Sequence, residues 1–291
     1  MSEEKKKALL DQVQWLDKIT PGGLVDYCER ARKLLADSKA GISPYDKYTP
    51  EVPDGFFLEP GKPLLDEFEA LGLKELSKIG FVLIAGGLGE RLGFSDIKIK
   101  LPIITIEEDY TYMKLYADYC LACREMALKM DPALDPATFH IPFAIMTSDR
   151  SHDLTIELME KHNWYGLGKE NVSLIRQEDV PAMNDNSATL ALNEETGLLV
   201  TKPHGHGDIH SLMHGSGVAK RWQEQGKEWL VFLQDTNALA VKAVISMLGV
   251  SRKHDWEMNS CCVPRMPGEA MGAICHLKGD DNSIVINVEY N

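Results

Sequence analysis

The sequence lacks any apolar run approaching the roughly 20 residues that a helix needs to cross a bilayer. Its start, Met-Ser-Glu-Glu-Lys-Lys-Lys, has no hydrophobic segment behind the charges, so it does not predict a secretory signal. The six cysteines are scattered and lie mostly in apolar stretches, a placement typical of reduced, buried thiols. These absences favour a cytoplasmic protein that does not act in a membrane.

Basic residues are scarce relative to acidic ones. The chain has 31 Lys and Arg against 44 Asp and Glu, a formal net charge of −13. General nucleic-acid binding is excluded on this ground, because it depends on a basic surface. An acidic protein can still bind a polyphosphate if it places a few cations locally and recruits a divalent metal ion. Arg91, Lys98 and Lys100 are the local set of cations that the sequence offers.

Two common glycine motifs are missing from residues 81–98, where an apolar run leads into Gly86, Gly87 and Gly89. A dinucleotide fingerprint needs a further glycine three residues after Gly89, where the chain has Leu92. A P-loop needs a Gly-Lys-Ser or Gly-Lys-Thr triplet, which the sequence does not contain. What remains is a strand followed by a glycine turn, in which positive φ and close backbone approach suit an anion. The alternative is a plain structural turn between a strand and a helix.

Length and proline content suggest how the chain is divided. With 291 residues, 44% hydrophobic and 26% charged, it has the size of one large globular domain or two ordinary ones. Two helices are predicted before residue 38, the second capped by Thr20. Residues 40–63 contain five of the 14 prolines. We therefore predict a helical N-terminal extension with a proline-rich connector over residues 1–63, and a catalytic core over residues 64–291.

Strand and helix patterns alternate through the predicted core. Short apolar runs typical of buried strands lie at 81–85, 142–147, 172–176 and 229–234. Helical patterns lie at 64–78, 112–130, 151–163, 208–224 and 238–248, and three further strand patterns lie at 257–263, 270–277 and 283–290. This order predicts an α/β fold with a mixed, mostly parallel sheet flanked by helices. Since ligands gather at the carboxyl ends of such strands, we expect the polar residues found there to form the site.

Asp235 is the candidate metal ligand, because it directly follows the strand predicted at 229–234. Mg²⁺ binds one or two carboxylates together with phosphate oxygens, which suits a single acid beside a nucleotide site. The alternative role is to cap the following helix, which Asn237 could equally provide. The local sequence leaves both roles open.

Four of the nine histidines lie within residues 204–214. His210 and His214 are four residues apart and would share one face of a helix, as zinc ligands do, so a zinc hydrolase is an alternative class. Against it, glycines alternate with the earlier histidines, and no Glu lies between His210 and His214 to act as a base. A turn leading into a helix with Asp208 at its start fits close backbone approach to a ligand better.

A Cys-x-x-Cys spacing occurs at Cys120 and Cys123, where it could indicate a metal site. The pair lies inside a predicted helix, and the adjacent cysteines Cys261 and Cys262 have the wrong spacing to complete a zinc site. We therefore predict that the pair packs in the core.

Several of these segments together resemble one protein family. Residues 85–93, Ala-Gly-Gly-Leu-Gly-Glu-Arg-Leu-Gly, followed by Ile-Lys and Leu-Pro, are similar to the signature loop of UTP-dependent sugar-1-phosphate nucleotidyltransferases. Four more segments match in order, at 146–148, 202–208, 232–237 and 287–291. The Glu-Arg-Leu of the loop resembles UDP-sugar pyrophosphorylases of plants and protozoa more than the UTP–glucose-1-phosphate or UDP-N-acetylglucosamine branches. The resemblance implies a Rossmann-like, GT-A-like nucleotidyltransferase core.

The resemblance also implies a reaction: UTP and a sugar 1-phosphate give a UDP-sugar and pyrophosphate, reversibly, by direct in-line attack and with Mg²⁺ as cofactor. It implies no nucleic acid, no membrane and no obligate protein partner. The roles that it carries over are catalytic for Lys98 and Arg91, nucleotide-binding for Ala85, Gly86, Gly87, Gly89, Gln177, Gly205 and His206, sugar-binding for Gly272, Glu289 and Asn291, and metal-binding for Asp235.

Members of this family continue well past the motif at 287–291, so we expect the chain to be a fragment whose core is incomplete at its C-terminus. Such a fragment would keep much of the UTP site and have an incomplete sugar-phosphate site, with weak or no turnover. The sugar preference is left open by the sequence. The near alternative is a UTP–glucose-1-phosphate uridylyltransferase of narrow specificity, and a further one is a catalytically silent nucleotide-binding regulator.

Overall fold

The computed structural model describes residues 2–104, 106, 109–266 and 268–288, and for Arg91 the backbone alone. These residues form two compact units, the first within Met1–Phe57, Asp179–Lys202 and Cys262–Asn291 and the second within Leu58–Glu178 and Pro203–Cys261. No helix of the described part combines the length and the apolar content that crossing a membrane requires. The predicted division at residue 63 stays a prediction.

Helices and strands alternate along the described chain. The α-helices α1 to α8 span Glu3–Ile19, Gly23–Lys39, Pro63–Leu73, Tyr112–Met130, His152–Lys161, Asp208–Gly215, Val218–Glu224 and Val244–His254. The strands β1 to β9 span Thr49–Glu51, Ile79–Ile84, Phe143–Thr147, Val172–Arg176, Asp179–Pro181, Thr201–Pro203, Trp229–Gln234, Ala273–Lys278 and Ser283–Val288. Short 3₁₀ turns lie at Leu76–Lys78, Glu90–Leu92, Lys98–Lys100, Asn163–Gly166, Lys169–Asn171 and Ala238–Lys242.

The second unit is built on a four-stranded sheet with the order β4-β3-β2-β7. Every neighbouring pair is parallel, and Phe81 in β2 lies opposite Phe143 in β3 and Val231 in β7. The sequence predicts all four strands from their apolar runs, within two residues of the observed bounds. The α/β class with a parallel sheet flanked by helices is therefore confirmed.

Helices cover both faces of this sheet. On one face, Phe81 and Phe143 belong to a buried cluster with side chains of α4, α5 and α8. On the other face, Val82 and Ala144 pack with α6 and α7, and the Trp222 ring of α7 lies against the strand backbone. Strands that are buried on both faces have apolar residues at successive positions. This is why their sequences read as continuous runs rather than as alternating patterns.

Two predicted elements differ from the structure. Residues 257–263 form no strand, and Met258 and Val263 are exposed, so this apolar pattern has no sheet to join. The single helix predicted over 208–224 is two helices, α6 and α7. They are separated at Gly217, whose φ of 71° lies in the left-handed region that favours glycine and interrupts the helix.

The first unit contains α1, α2, the short paired strands β5 and β6, and a sheet with the order β1-β8-β9. All pairs in the three-stranded sheet are antiparallel. The strands predicted at 270–277 and 283–290 correspond to β8 and β9. They pair with each other, and β8 also pairs with β1, in a sheet separate from the parallel one. Residues 289 and 290 of the second prediction lie outside the described part.

The cap of α2 is also different from the prediction. Thr20 does not cap this helix, since the N-cap position is Gly22, which has a left-handed φ of 81°. The carboxylate of Asp17, near the end of α1, instead accepts a hydrogen bond from the N–H of Leu24 at 2.8 Å. An acid two residues before the end of one helix therefore satisfies a donor in the first turn of the next.

A charged cluster in the second unit connects the starts of β2 and β7 with the end of α8. The nearly buried carboxylate of Glu75 accepts hydrogen bonds from Arg252 Nη2 at 2.5 Å and from Trp229 Nε1 at 3.0 Å. Arg252 also donates to Glu228 at 2.6 Å. Burial alone would raise the pKa of Glu75, but the hydrogen bonds from Arg252 and Trp229, with the charge of Lys78, outweigh it and hold the pKa below its ordinary value of 4.5.

This cluster predicts an acid-sensitive contribution to stability. Because folding lowers the pKa of Glu75, its carboxylate stabilises the fold above about pH 4.5, and that contribution is lost as the pH falls through the folded-state pKa. We expect Glu75→Ala to lower the free energy of unfolding by about 2 kcal/mol at neutral pH. Urea unfolding of both proteins between about pH 7 and pH 3 should show this difference shrinking with acid. A difference that stays constant over this range would contradict the assignment.

Candidate active site

The carboxyl ends of the four parallel strands bring polar residues to one edge of the sheet. Strand β2 leads into Gly86, β3 into Ser148, β4 into Gln177 and β7 into Asp235. Because the four strands run in the same direction, these residues lie along the same edge. The sequence predicts these strand-end positions, and the structure brings them together.

The segment after β2 leaves the sheet edge, forms a loop and comes back to pair with itself. Leu88 and Ile97 form an antiparallel bridge, and the N–H of Gly89 donates to the carbonyl of Asp96 at 2.9 Å. The residues between Gly89 and Asp96 form a loop that contains the 3₁₀ turn Glu90–Leu92. The bridge brings Lys98, the next residue after Ile97, back to the glycine-containing stretch at residues 85–89, called here the glycine loop.

Lys98 and Asp235 form an ion pair beside the glycine loop. The Nζ of Lys98 lies 3.2 Å from Oδ2 of Asp235, and a Cβ at Gly87 would lie 3.1 Å from that Nζ and 3.6 Å from that Oδ2. Asp235 is only 5% exposed, and its Oδ1 also accepts a hydrogen bond from the Thr236 hydroxyl at 3.3 Å. Both carboxylate oxygens of Asp235 thus bond to side chains, and neither caps the helical turn that follows. A backbone loop, a cation and a buried carboxylate meet at one point.

The glycines of this loop serve close approach rather than unusual dihedral angles. Contrary to the expectation of positive φ, none of Gly86, Gly87 and Gly89 has φ in the left-handed region, whereas Gly93 does, at 70°. A Cβ at Gly89 would lie 2.8 Å from the Cβ of Phe94, and one at Gly87 would intrude on the ion pair. Any side chain at these positions would therefore fill the space around the loop.

Serine side chains from the connection between β3 and α5 hold the glycine loop. Ser148 Oγ donates to the carbonyl of Gly86 at 2.7 Å, and Ser151 Oγ donates to that of Ala85 at 3.3 Å. The N–H of Ala85 is bonded to the carbonyl of Met146 at 2.8 Å, so any contact of Ala85 with a nucleotide uses other atoms. Sequence reasoning missed Ser151, since a serine directly before a helix reads as an N-cap.

Tyr116 of α4 fixes the backbone on both sides of Asp235. Its hydroxyl donates to the carbonyl of Gln234 at 2.6 Å and accepts from the N–H of Asn237 at 3.0 Å. The side chain is fully buried, and this burial raises the pKa of Tyr116 to about 12, which keeps the hydroxyl protonated as a donor. The sequence shows Tyr116 only as one more residue of a predicted helix, without a signal for this contact.

Gln177 connects the loop before α6 with the glycine loop. Its Nε2 donates to the carbonyl of Gly205 at 2.6 Å and to Asp208 Oδ2 at 3.0 Å, while Asp208 Oδ1 lies 2.6 Å from His204 Nδ1. Gly205 has a φ of 140°, a conformation that favours glycine. A Cβ at Gly86 would lie 3.6 Å from Gln177 Oε1. Two of the predicted nucleotide-binding residues, Gln177 and Gly205, are therefore in direct contact.

Other predicted site residues are less fully defined by the structure. His206 is exposed in the loop before α6, and the backbone of Arg91 lies in the 3₁₀ turn Glu90–Leu92 while its side chain is outside the described part. Gly272 belongs to the first unit, where it lies beside Asn287. Glu289 and Asn291 lie outside the described residues. The roles of these five residues, like those of the other predicted site residues, stay predictions.

Lys100, the third cation of the predicted local set, has a different partner. Its Nζ lies 2.8 Å from Asp96 Oδ2, and it lines a cavity of about 310 Å³ together with Phe94 and Thr111. Lys98, two residues earlier in the same 3₁₀ turn, is the one whose ammonium group lies at Gly87. The two lysines therefore have different ion-pair partners, Asp235 for Lys98 and Asp96 for Lys100.

The histidine-rich segment does not assemble a zinc site in the described part of the chain. There, no group of three or more His, Cys, Asp or Glu side chains is arranged to hold a metal ion together. His204 contacts Asp208, and the ring of His210 packs on Phe232 with 5.0 Å between ring centroids. These contacts favour structural roles and leave the zinc-hydrolase alternative without support.

The Cys-x-x-Cys pair is part of the core, as predicted. Cys120 and Cys123 are both buried in α4, and the thiol of Cys120 donates to the carbonyl of Ile141 at 3.7 Å. Burial raises the pKa of both thiols, that of Cys123 to about 11. A thiol with a raised pKa is a poor nucleophile and a poor metal ligand, so this pair does not form a reactive site.

A parallel sheet covered on both faces, with its polar residues gathered at the carboxyl ends of the strands, defines a Rossmann-like α/β protein. The glycine loop, Lys98 and Asp235 give this protein the features of a site for an anionic ligand. The family model for UTP–glucose-1-phosphate uridylyltransferase matches residues 61–285, and the chain belongs to this family.

Individual relatives agree with this assignment. UDP-sugar pyrophosphorylases of Oryza sativa subsp. indica and of Arabidopsis thaliana are each 43% identical over 293 aligned residues, which cover 100% of this chain and 47% of each relative. The chain thus spans about half the length of these curated relatives. The crystal structure of the UDP-N-acetylglucosamine pyrophosphorylase of Trypanosoma brucei has a TM-score of 0.80 at 20% identity, over 99% of this chain and 56% of that one. At this identity, the structural likeness shows the fold alone.

Proposed function

We propose that this chain carries the UTP site of a reversible uridylyltransferase, which converts UTP and a sugar 1-phosphate into a UDP-sugar and pyrophosphate. The observation that carries the proposal is the ion pair of Lys98 and Asp235 at Gly87, on the strand ends of a Rossmann-like sheet. Membership of the family and the 43% identity with UDP-sugar pyrophosphorylases support it.

In this reaction the protein has two tasks, to position the two substrates and to neutralise the negative charge of their phosphates. A phosphate oxygen of the sugar 1-phosphate attacks the α-phosphorus of UTP, a new P–O bond forms there, and the bond to the β-phosphate breaks to release pyrophosphate. No nucleophile of the protein takes part, so the protein contributes in-line positioning and neutralises negative charge. The glycine loop lets the backbone approach the phosphates. Lys98 would neutralise the negative charge that builds up on the leaving pyrophosphate.

We propose Mg²⁺ as the cofactor and Asp235 as its protein ligand. A carboxylate is a hard oxygen donor of the kind that Mg²⁺ prefers, and Asp235 lies beside the groups that would hold the phosphates, so the residues fit this ion. When bound, Mg²⁺ would supply positive charge to the phosphate oxygens. Asp235 contributes a fixed anion, because Tyr116 holds the backbone on both sides of it. Lys98 would then exchange its carboxylate partner for a phosphate.

We propose that the enzyme accepts several sugar 1-phosphates rather than a single one. The relatives that are 43% identical over the whole chain are named as UDP-sugar pyrophosphorylases, without a single sugar. A narrow UTP–glucose-1-phosphate uridylyltransferase remains the second candidate, since it is the description of the matched family. Comparing several sugar 1-phosphates in one assay separates the two.

The direct test is product formation by the purified protein. UTP, MgCl₂ and one sugar 1-phosphate (glucose, galactose or xylose) are incubated with it, and nucleotides and pyrophosphate are separated by anion-exchange chromatography. The proposal predicts UDP-sugar and pyrophosphate in equal amounts, and the reverse reaction on adding pyrophosphate. Activity with glucose 1-phosphate alone would favour the narrow enzyme. UTP binding without any product would support the UTP site and would favour either the incomplete sugar-phosphate site expected from the sequence or a nucleotide-binding regulator. No binding of UTP and no product would contradict the proposal.

A further inference from the structure

The side-chain amide of Gln177 is held in one orientation by two acceptors. Its Nε2 lies 2.6 Å from the carbonyl oxygen of Gly205 and 3.0 Å from Asp208 Oδ2. A carbonyl and a carboxylate can only accept hydrogen bonds, so the NH₂ end of the amide must face them. Gln177 is 4% exposed, and rotating its amide by 180° would place Oε1 at hydrogen-bonding distance from two oxygens that can only accept, which is unfavourable.

The other end of the amide faces the glycine loop as a consequence. A Cβ at Gly86 would lie 3.6 Å from Gln177 Oε1, so this oxygen borders the space above the loop backbone. With both hydrogens of Nε2 directed at Gly205 and Asp208, the group presented at Gly86 is an acceptor. An acceptor is complementary to a donor on the ligand, such as the N3–H of uracil, and it repels the N3 lone pair of cytosine.

The carboxylate of Asp208 is held in place by a second contact, with His204. Its Oδ1 lies 2.6 Å from Nδ1 of His204, and it stands in the first turn of α6, where an acidic side chain is favourable. Asp208 therefore has one oxygen for His204 and one for Gln177. Of the two acceptors on Gln177, Asp208 is the one that a side-chain substitution can remove, because the other is a backbone carbonyl.

We propose that Asp208 is a positioning residue that sets the base preference of the site, by holding the amide of Gln177 with its oxygen toward the nucleotide. This inference rests on the proposed UTP site and on the nucleotide-binding role that the family resemblance implies for Gln177, taken here as contact with the edge of uracil. Asp208 does not touch the base. The amide of Gln177 could present either its NH₂ donor or its oxygen acceptor to the base, and Asp208 ensures that it presents the oxygen.

The test compares UTP and CTP binding, each with MgCl₂, by isothermal titration calorimetry. Asp208→Asn keeps the shape of the side chain but can offer Gln177 a donor, which permits the reversed amide. We expect the ratio of the CTP to the UTP dissociation constant to fall about tenfold in this variant. Asp208→Ser, which removes the carboxylate but keeps a residue that favours the start of a helix, should lower the ratio as well. Thermal unfolding checks that each variant is folded.

Two further variants separate the possible outcomes. Asp153→Asn makes the same substitution in the first turn of α5 and should leave the ratio unchanged. Gln177→Ala removes the amide and should lower the ratio at least as far as Asp208→Asn. If Gln177→Ala lowers the ratio while both Asp208 variants keep that of the wild type, the role of Asp208 is wrong and the uridine site stands. If the wild type binds UTP and CTP equally, the uracil assignment fails, and this inference fails with it.

Discussion

Asp235→Asn is expected to remove most magnesium-dependent turnover, with a fall in kcat of about a thousandfold. The wild-type carboxylate is 5% exposed and lies at the glycine loop, beside the ammonium group of Lys98. The amide of Asn has a similar shape but no charge, and it holds Mg²⁺ much less strongly. Initial rates of UDP-sugar formation over a titration of MgCl₂ measure the effect.

The matched control for this substitution is Asp153→Asn, which removes the same charge from the first turn of α5. It should retain the wild-type rate and the wild-type dependence on MgCl₂. Asp235→Asn should also weaken the response to MgCl₂ at saturating UTP, because the lost group is assigned to the metal. A variant that turns over at the wild-type rate in MgCl₂ would remove Asp235 from the metal site.

Lys98→Ala is expected to lower kcat about a hundredfold or more, while the dissociation constant of UTP changes by less than about tenfold. The proposed function assigns the ammonium group to the charge that accumulates on the leaving pyrophosphate, and such an interaction is stronger in the transition state than in the bound substrate. Lys98 is already paired with Asp235 in the structure. Any favourable interaction that Lys98 makes with bound UTP is therefore partly offset by the loss of this ion pair. Steady-state kinetics and equilibrium binding of UTP, measured on the same preparation, separate the two effects.

Lys100→Ala provides the comparison within the same 3₁₀ turn. It removes an identical charge two residues away, from a lysine that pairs with Asp96 rather than with Asp235. We expect its effect on kcat to be less than about tenfold. Equal losses in Lys98→Ala and Lys100→Ala would mean that the overall positive charge of the turn matters, and would contradict a specific role for Lys98.

The sheet was the part of the fold most accessible to sequence reasoning. Strands β4 and β7 lie at the predicted bounds, and β2 and β3 lie within two residues of them. Strands β2 and β3 are buried along nearly their whole length, which leaves a short continuous apolar run between polar segments. Parallel direction then followed from the helical segments between the strands, and it placed Gln177 and Asp235 at one edge. The same reasoning failed at 257–263, where an apolar pattern exists without a neighbouring strand to pair with.

The supporting contacts of the site could not be read from the sequence. Tyr116 lies 118 residues from Gln234, and Ser151 lies 66 residues from Ala85, so their hydrogen bonds depend on the packing of the whole unit. Local patterns assign Tyr116 and Ser151 to the helices predicted at 112–130 and 151–163, and both assignments are compatible with many other partners. Residues that touch a ligand can be found from motifs, whereas residues that hold them in place need the structure.

The central claim, that the glycine loop, Lys98 and Asp235 form a site for UTP with Mg²⁺, is tested most directly by thermal unfolding of this protein with added ligands. UTP with MgCl₂ at about 100 times its dissociation constant should stabilise the native state by about 2.7 kcal/mol. CTP and ATP at the same concentration should stabilise it less, and Asp235→Asn should lose the part of the UTP effect that depends on MgCl₂. No shift with UTP, or a shift with ZnCl₂ in its place, would contradict the account.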